Sequence, residues 1–477
     1  MAALWRRGSR SCALCQSALS GKTFNGWQST AANPQAAADF LQGAPHRKHP
    51  GVTALKTVSL PEELQRAALV SIHGAAVSGL ADRARRLTNY LWSRKRAVED
   101  SALREKAIAL EKTLLEKEKE KGRGERGRDG DIHLLETQIK KKVLTALRKT
   151  TYHWTPLRYD DDLAVVYLAA RLAGGYAAVR RVLNEVKKRD PSFTPQSLLD
   201  FGSGVGTVLW AVRSVWGEAE RESVCVDSSA AMNSLADQLL RGGSDREDPL
   251  IKQVYFRQFL PVSPKVQYDL VVSAFALSEL TSQKERRDTV LTLWRKTNSL
   301  LVLVENGTKD GHQVLMEARD AVLTGKDRVT FDSRTPQVFA PCPHQLPCPR
   351  LAQESQLPCN YPQPYRPLPL PGSPDRAVER FSYLVLRRAG PEREAEPELE
   401  AGPEQEAGLA WARLIGPVLR RSRHVHCQLC CSDGEIRRLV VTARRHGRDM
   451  YRCARSSDWG DRLPIIQPED AAPSDSE

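Results

Sequence analysis

The stretch LLDFGSGVG, Leu198 to Gly206, decides the fold. Its first half is apolar around one acid, Asp200. Its second half sets Gly202, Gly204 and Gly206 at alternate places, directly before the apolar segment Val208 to Val215. That order reads as a buried strand, a tight turn and a helix, with glycines letting the backbone take positive φ and come close to a ligand. Asp227, at the end of the next apolar run in VCVDSS, stands where a carboxylate would take two ribose hydroxyls.

Working outward, SVCVD, YDLVVSAF and SLLVLVEN read as further buried strands, and helices are expected near Ala230 to Leu240, Lys284 to Lys296 and His312 to Leu323. Strands that are apolar throughout and alternate with helices make an α/β doubly wound sheet. RFSYLVLRR, Arg380 to Arg388, is expected to close its edge. Residues 191–390 form this domain, with a Pro-rich, Cys-rich excursion over 339–374.

On the N-terminal side, LPEELQRAALVSIHGA and SALREKAIALEKTLLEKEKE carry helical periodicity over 58–118. The run KGRGERGRDGD, Lys121 to Asp131, breaks it as a solvated loop, and helices resume at Leu134 to Arg148 and Asp161 to Arg189. Residues 39–190 are expected to be an α-helical domain. Before Asp39, the first acid, stand Arg6, Arg7, Arg10 and Lys22 among small and apolar residues, which is the composition of a mitochondrial transit peptide over 1–38. Beyond the sheet, 391–410 is an acidic linker, 411–465 a small, basic, β-rich unit and 466–477 a polar tail. The net charge of +13 points to a polyanionic partner. No run of about 20 apolar residues is evident, so nucleic acid is expected and membrane is not.

The glycine turn fits a dinucleotide or S-adenosylmethionine. An acid ahead of the first glycine, Asp-x-Gly-x-Gly-x-Gly, resembles the class I methyltransferases and favours S-adenosylmethionine, held by Asp200, Gly202, Gly204, Gly206 and Asp227. Turnover is less well provided for. The fourth strand ends in Ser273-Ala-Phe-Ala, without the Asn/Asp-Pro-Pro-aromatic turn of base-amino methyltransferases, and Cys225 lies on the second strand, out of place for a nucleophile. Glu279 and Glu305 are the available acids.

The cysteines fall in two groups, Cys342-x5-Cys348-x10-Cys359 and Cys427-x2-Cys430-Cys431. Thiolates in that number suit zinc or an iron-sulfur cluster, and the spacing leaves both open. Cys359 and Cys453 also read as plain buried thiols.

With LLDFGSGVGT, FAPCPHQLPC, RHVHCQLCC and TARRHGRDMYRCARSSDWGD together, the chain over Tyr152 to Pro464 resembles the mitochondrial small-ribosomal-subunit methyltransferase-like proteins. The resemblance implies a matrix protein that binds small-subunit rRNA during mitoribosome assembly and serves mitochondrial translation, with other assembly factors as further partners. It implies a 4Fe-4S cluster on Cys342, Cys348, Cys359 and Cys430, with Cys427 the rival for the last place. It implies a class I methyltransferase-like fold that holds S-adenosylmethionine without turnover; the alternatives are an active rRNA methyltransferase and a zinc-stabilised scaffold. A longer gap before Cys359 and the acidic linker depart from the family pattern. On this reading the cluster ties the basic unit to the sheet domain, and Arg420, Arg421, Arg423, Arg444, Arg445, Arg448, Arg452 and Arg455 contact RNA phosphates, with His446, Tyr451 and Trp459 placed to stack on bases.

Overall fold

The computed structural model describes residues 40–464 apart from 42, 121–128, 152–153, 219–221, 245–247, 264, 326–333, 353–356 and 390–410. The expected transit peptide, acidic linker and tail and most of the Lys121 to Asp131 run lie outside the described residues.

Along the core, β1 (Ser197–Phe201), α6 (Thr207–Trp216), β2 (Glu222–Val226), α7 (Ala230–Leu240), β3 (Val254–Arg257), β4 (Tyr268–Ala274), α8 (Gln283–Arg295), β5 (Thr297–Asn306) and α9 (Lys309–Leu323) alternate, following α1 (Glu62–Ala75), α2 (Leu80–Ser93), α3 (Asp100–Glu120), α4 (Asp129–Thr150) and α5 (Asp161–Arg189). β6 (Pro336–Ala340), α10 (Pro349–Ala352), β7 (Tyr361–Tyr365) and β8 (Ala377–Arg388) complete the sheet domain. Strand order is β3-β2-β1-β4-β5-β8-β6, parallel from β3 through β5, with β8 antiparallel to β5. This is the doubly wound, class I methyltransferase-like sheet. The strands are apolar throughout because both faces are covered: Leu198, Leu270 and Val302 meet α5 and α6 on one side, while Leu199, Val271 and Leu301 meet α8 and α9 on the other.

β8 is not the edge, as its sequence suggested. Its outer side is shared by β6, paired near Leu386, and β7, paired near Glu379. The Cys-rich excursion therefore leaves and re-enters the sheet.

The boundary expected at 190 does not separate two bodies. α5 is a core layer: it starts at Asp160, whose carboxylate accepts from Leu163 N at 2.8 Å, and ends before Pro191. It is the helix, among the described residues, long and apolar enough to cross a membrane, and it is buried against the sheet instead. Its buried Arg171 pairs with Glu379 at 3.2 Å. α3 and α4 pack on one another as a hairpin beside the core.

The C-terminal unit comprises β9 (Ala412–Leu414), β10 (Leu419–Arg420), β11 (Val425–Cys430), β12 (Ile436–Val441), α11 (Ala443–His446), α12 (Arg448–Ser456) and β13 (Arg462–Leu463) around its own core. It is β-rich as expected, yet the basic stretch after β12 is helical, because Met450, Cys453 and Ala454 fall on one buried helix face. Residues of the N-terminal segment clasp this unit. Arg462 N donates to Gly51 O at 2.8 Å, Thr53 N and Ala54 N donate to Asp461 Oδ1 at 2.7 and 2.8 Å, and His49 Nε2 meets Ser457 Oγ at 2.8 Å.

The unit is also fastened to the sheet domain by arginines. Arg413 Nη2 meets Glu185 Oε1 at 2.5 Å, and its other nitrogens donate to Pro341 O and Gly460 O at 2.9 and 2.7 Å. Arg181 donates to Trp459 O at 2.9 Å and Arg350 to Ile415 O at 2.8 Å. Direct protein contacts thus dock the basic unit on the sheet domain.

Candidate functional site

The glycine turn after β1 is held by Val226 O, which accepts from Gly202 N and Ser203 N at 2.8 and 3.1 Å. Gly202, Gly204 and Gly206 all have positive φ. At Gly202 the need is steric as well, since a Cβ there would sit 2.2 Å from Ala276 Cβ. The turn opens onto a cavity of about 430 Å³, a size that suits a nucleotide-like ligand. Gly202, Gly204 and Asp227 are on its wall. Asp227 accepts from Gly204 N and Ser229 N, both at 2.9 Å, and burial raises its pKa against those two bonds. Asp200 is fully buried in β1 and Gly206 caps α6; both stand behind the wall rather than on it.

The opposite wall comes from residues that carry no motif. Arg94 and Arg96, just past α2, with Leu157 and Tyr159 ahead of α5, form a strap over the opening. Arg94 meets Glu279 at 2.5 Å and stacks on Trp154 at 4.6 Å; Arg96 pairs with Glu317 at 2.6 Å. Glu279 is therefore engaged in an ion pair. Burial raises Glu305 to about 7, although Ser278 donates to its carboxylate from Oγ at 2.8 Å and from N at 3.2 Å. Phe275, at φ +60, points its ring beneath the Arg171 guanidinium, 4.9 Å away.

A second cavity lies between the excursion and the C-terminal unit, and Cys342, Cys348, Cys359 and Cys430 all line it. Strand alternation explains why Cys430 and not Cys427 is there. Cys427 shares a face of β11 with Val425 and Leu429 in the unit's own core, and Cys430, three residues on, faces the other way. Cys431 and Cys453 also belong to that core, and Cys225 is buried in β2. Burial, then the neighbouring thiols, raises Cys342 to about 12 and Cys430 higher still; burial also raises Cys359. Three polar side chains touch the thiols: Tyr361 Oη lies 3.2 Å from Cys359 Sγ, His344 Nε2 3.3 Å from Cys430 Sγ and His312 Nε2 3.9 Å from Cys348 Sγ. His312 lies on α9, and its helical position gave no sign of it in the sequence. Among the described residues no three His, Cys, Asp or Glu side chains are arranged to hold a single metal ion.

The basic residues of the C-terminal unit divide. Arg421, Arg423, Arg444, Arg445, Arg448 and Arg452 are exposed, and none has an ion pair or side-chain hydrogen bond among the described residues. Arg420 instead bonds Arg455 O, Ser457 O and Asp458, while Arg455 bonds Arg421 O, so these two tie the β10 hairpin to α12. Of the rings placed to stack, His446 is 2% exposed and accepts from Thr442 N, and Trp459 is covered by Arg380 at 5.2 Å. Tyr451 is half-buried, its hydroxyl on Ser422 O at 3.3 Å.

Comparison with known proteins matches residues 161–464 to the family described as mitochondrial small ribosomal subunit Rsm22. The chain is 50% identical over 435 residues to the human ribosome assembly protein METTL17, mitochondrial, covering 91% of this chain and 89% of that one. It is 28% identical over 330 residues to the Rsm22-cox11 tandem protein 2, mitochondrial, of Schizosaccharomyces pombe, covering 64% of this chain and 43% of that one. Among solved structures, magnesium protoporphyrin IX methyltransferase of Synechocystis with bound SAH aligns at 12% identity over 52% of this chain and 95% of that one, with a TM-score of 0.29.

Proposed function

The chain belongs to the mitochondrial small ribosomal subunit Rsm22 family, and from that premise we propose that it is a matrix assembly factor for the small ribosomal subunit, binding its rRNA and carrying a 4Fe-4S cluster. The observation that carries the reading is the meeting of Cys342, Cys348 and Cys359, all from the excursion between β6 and β7, with Cys430 from the end of β11, in one cavity. Four thiols are the donor set such a cluster takes. Cys342, Cys348, Cys359 and Cys430 would hold the cluster, whose metal-thiolate bonds would join the excursion to β11 once the thiols give up the protons that burial retains. Such bonds would add to the Arg413, Arg181 and Arg350 contacts that hold the unit bearing Arg421, Arg423, Arg444, Arg445, Arg448 and Arg452.

In the cofactor cavity, Gly202 and Gly204 admit the ligand against the backbone and Asp227 offers a carboxylate to ribose hydroxyls, which supports S-adenosylmethionine. We assign it a structural or regulatory role. Of the acids on the cavity wall, Glu279 is held by Arg94, Glu305 by Ser278, Asp310 by Arg96 and Asp227 by backbone N–H groups. The rival reading, an active rRNA methyltransferase, rests on Glu305, whose raised pKa suits a general base.

Purification without oxygen, followed by iron, sulfide and S-adenosylmethionine analysis, tests the reading. Wild type is expected to carry iron and sulfide in equal amounts, and Cys348→Ser to lose both together with small-subunit association while staying soluble. Zinc in place of iron, or unchanged iron and association in the variant, would reject the cluster. Transfer of labelled methyl groups to small-subunit rRNA would favour the enzyme.

A further inference from the structure

The two most exposed large apolar side chains among the described residues, Val262 and Phe259, are close together in sequence. Leu250, Tyr255, Phe259, Val262 and Val266 fall within one short segment around β3, with Tyr255 48%, Phe259 81% and Val262 97% exposed. β3 is the outermost strand of the sheet, so one of its backbone edges is unpaired among the described residues. Its pleat turns Val254 and Phe256 inward and leaves Tyr255 and Arg257 exposed on the same face, roughly 7 Å apart. Phe259 follows where the chain leaves the strand, and together with Gln258 and Leu260 it lines the mouth of the cofactor cavity.

Charge says what would lie on this row. From Leu250 to Tyr268 the chain carries Lys252, Arg257 and Lys265 and no carboxylate. All three cations are exposed, and none has an ion pair or side-chain hydrogen bond among the described residues. Aromatic faces alternating with unpaired cations along an extended backbone are the elements of a single-strand binding surface, where rings stack on unpaired bases and the cations follow the phosphates. A protein-docking edge would draw on the same apolar residues without needing a carboxylate-free run.

We propose that Tyr255, Arg257 and Phe259 form a second RNA contact, a stacking row for unpaired nucleotides that leads to the mouth of the cofactor cavity. It extends the RNA reading given above and uses a face formed by neither the cysteines nor the arginines of the C-terminal unit.

The test measures binding of a fluorescent oligouridylate to the full-length, cluster-loaded protein over a range of salt. Tyr255→Ala and Phe259→Ala should each weaken binding about tenfold, and Arg257→Ala should lower the slope of log affinity against log salt by about 0.7. Phe259 is largely in solvent and Tyr255 about half so, and a melting temperature changed by no more than a few degrees is expected and serves as the folding check. Arg444→Ala/Arg445→Ala is measured alongside. If the arginine variant loses affinity and the ring variants keep it, the row is wrong and the RNA reading stands; if neither loses affinity, both fall. Ring variants that keep oligouridylate affinity but lose small-subunit association would assign the row to a protein partner and overturn the proposal.

Discussion

Arg413 and Glu185 make the sharpest test of how the C-terminal unit is held. Both side chains are at most 3% exposed, and the guanidinium also serves two carbonyls, Pro341 O and Gly460 O. Burial pushes Glu185 upward, but Arg413 and then Arg189 outweigh it and hold the carboxyl at about 2, against 4.5 for an unperturbed glutamate. Net of the opposing cost of burial, and with Arg189 and Tyr383 contributing beside Arg413, that displacement corresponds to about 3 kcal/mol. Arg413→Leu leaves a buried carboxylate with Arg189 and Tyr383 as its remaining partners, and removing one member of a buried pair costs about 3–5 kcal/mol. Because the folded pKa is depressed, this contribution is present above about 4.5 and is lost as pH falls toward about 2. The variant should therefore show a flatter stability curve across that window. A double-mutant cycle with Glu185→Leu, read by urea unfolding, should give a coupling of about 3 kcal/mol, and native-state hydrogen exchange should show β11 and β12 losing protection ahead of the sheet. A coupling below about 1 kcal/mol, the worth of a solvent-exposed pair, would refute the reasoning.

Other outcomes follow from the same geometry. Gly202→Ala places a methyl against Ala276 and should weaken SAH binding at least about tenfold in calorimetry, whereas Gly204→Ala meets nothing nearer than 3.8 Å and should cost only about 1–2 kcal/mol of backbone strain in thermal unfolding. Glu305 ionises near 7, and a ligand bearing a cationic ammonium or sulfonium group prefers the ionised form, so S-adenosylmethionine affinity should rise between pH 6 and 8 by roughly the ionised fraction gained and become flat in Glu305→Gln. Gly51→Ala would put a Cβ 2.0 Å from Arg462 O and should release the N-terminal clasp, seen as faster proteolysis of the C-terminal unit at unchanged iron content.

Local pattern carried much of the fold. The apolar strands β1, β2, β4 and β5, the glycine turn and the span of α5 follow from periodicity and punctuation, which act over neighbouring residues. β6 and β7 did not stand out, because five residues each, with prolines at Pro336, Pro362 and Pro364, hold too little pattern to distinguish a strand from a loop. α12 was hidden by its arginines, which mask a helical spacing of apolar residues. Of the sites, residue type pointed to cysteines and glycines; the strap residues Arg94 and Arg96 and the Arg413–Glu185 pair are common residues made special by neighbours more than 100 positions away, and the cavity histidine His312 by a cysteine beyond its own helix. Alternation along β11 could have separated Cys430 from Cys427 before any coordinates.

The clasp around the C-terminal unit joins residues about 400 positions apart, as between His49 and Ser457. Closing so long a chain segment is entropically slow. His49, Gly51 and Thr53 make these bonds only with residues running from the end of α12 into the last strand. A protein stitched in this way completes its surface only as a whole, and a chain interrupted before β13 would present an open seam that quality-control proteases can recognise.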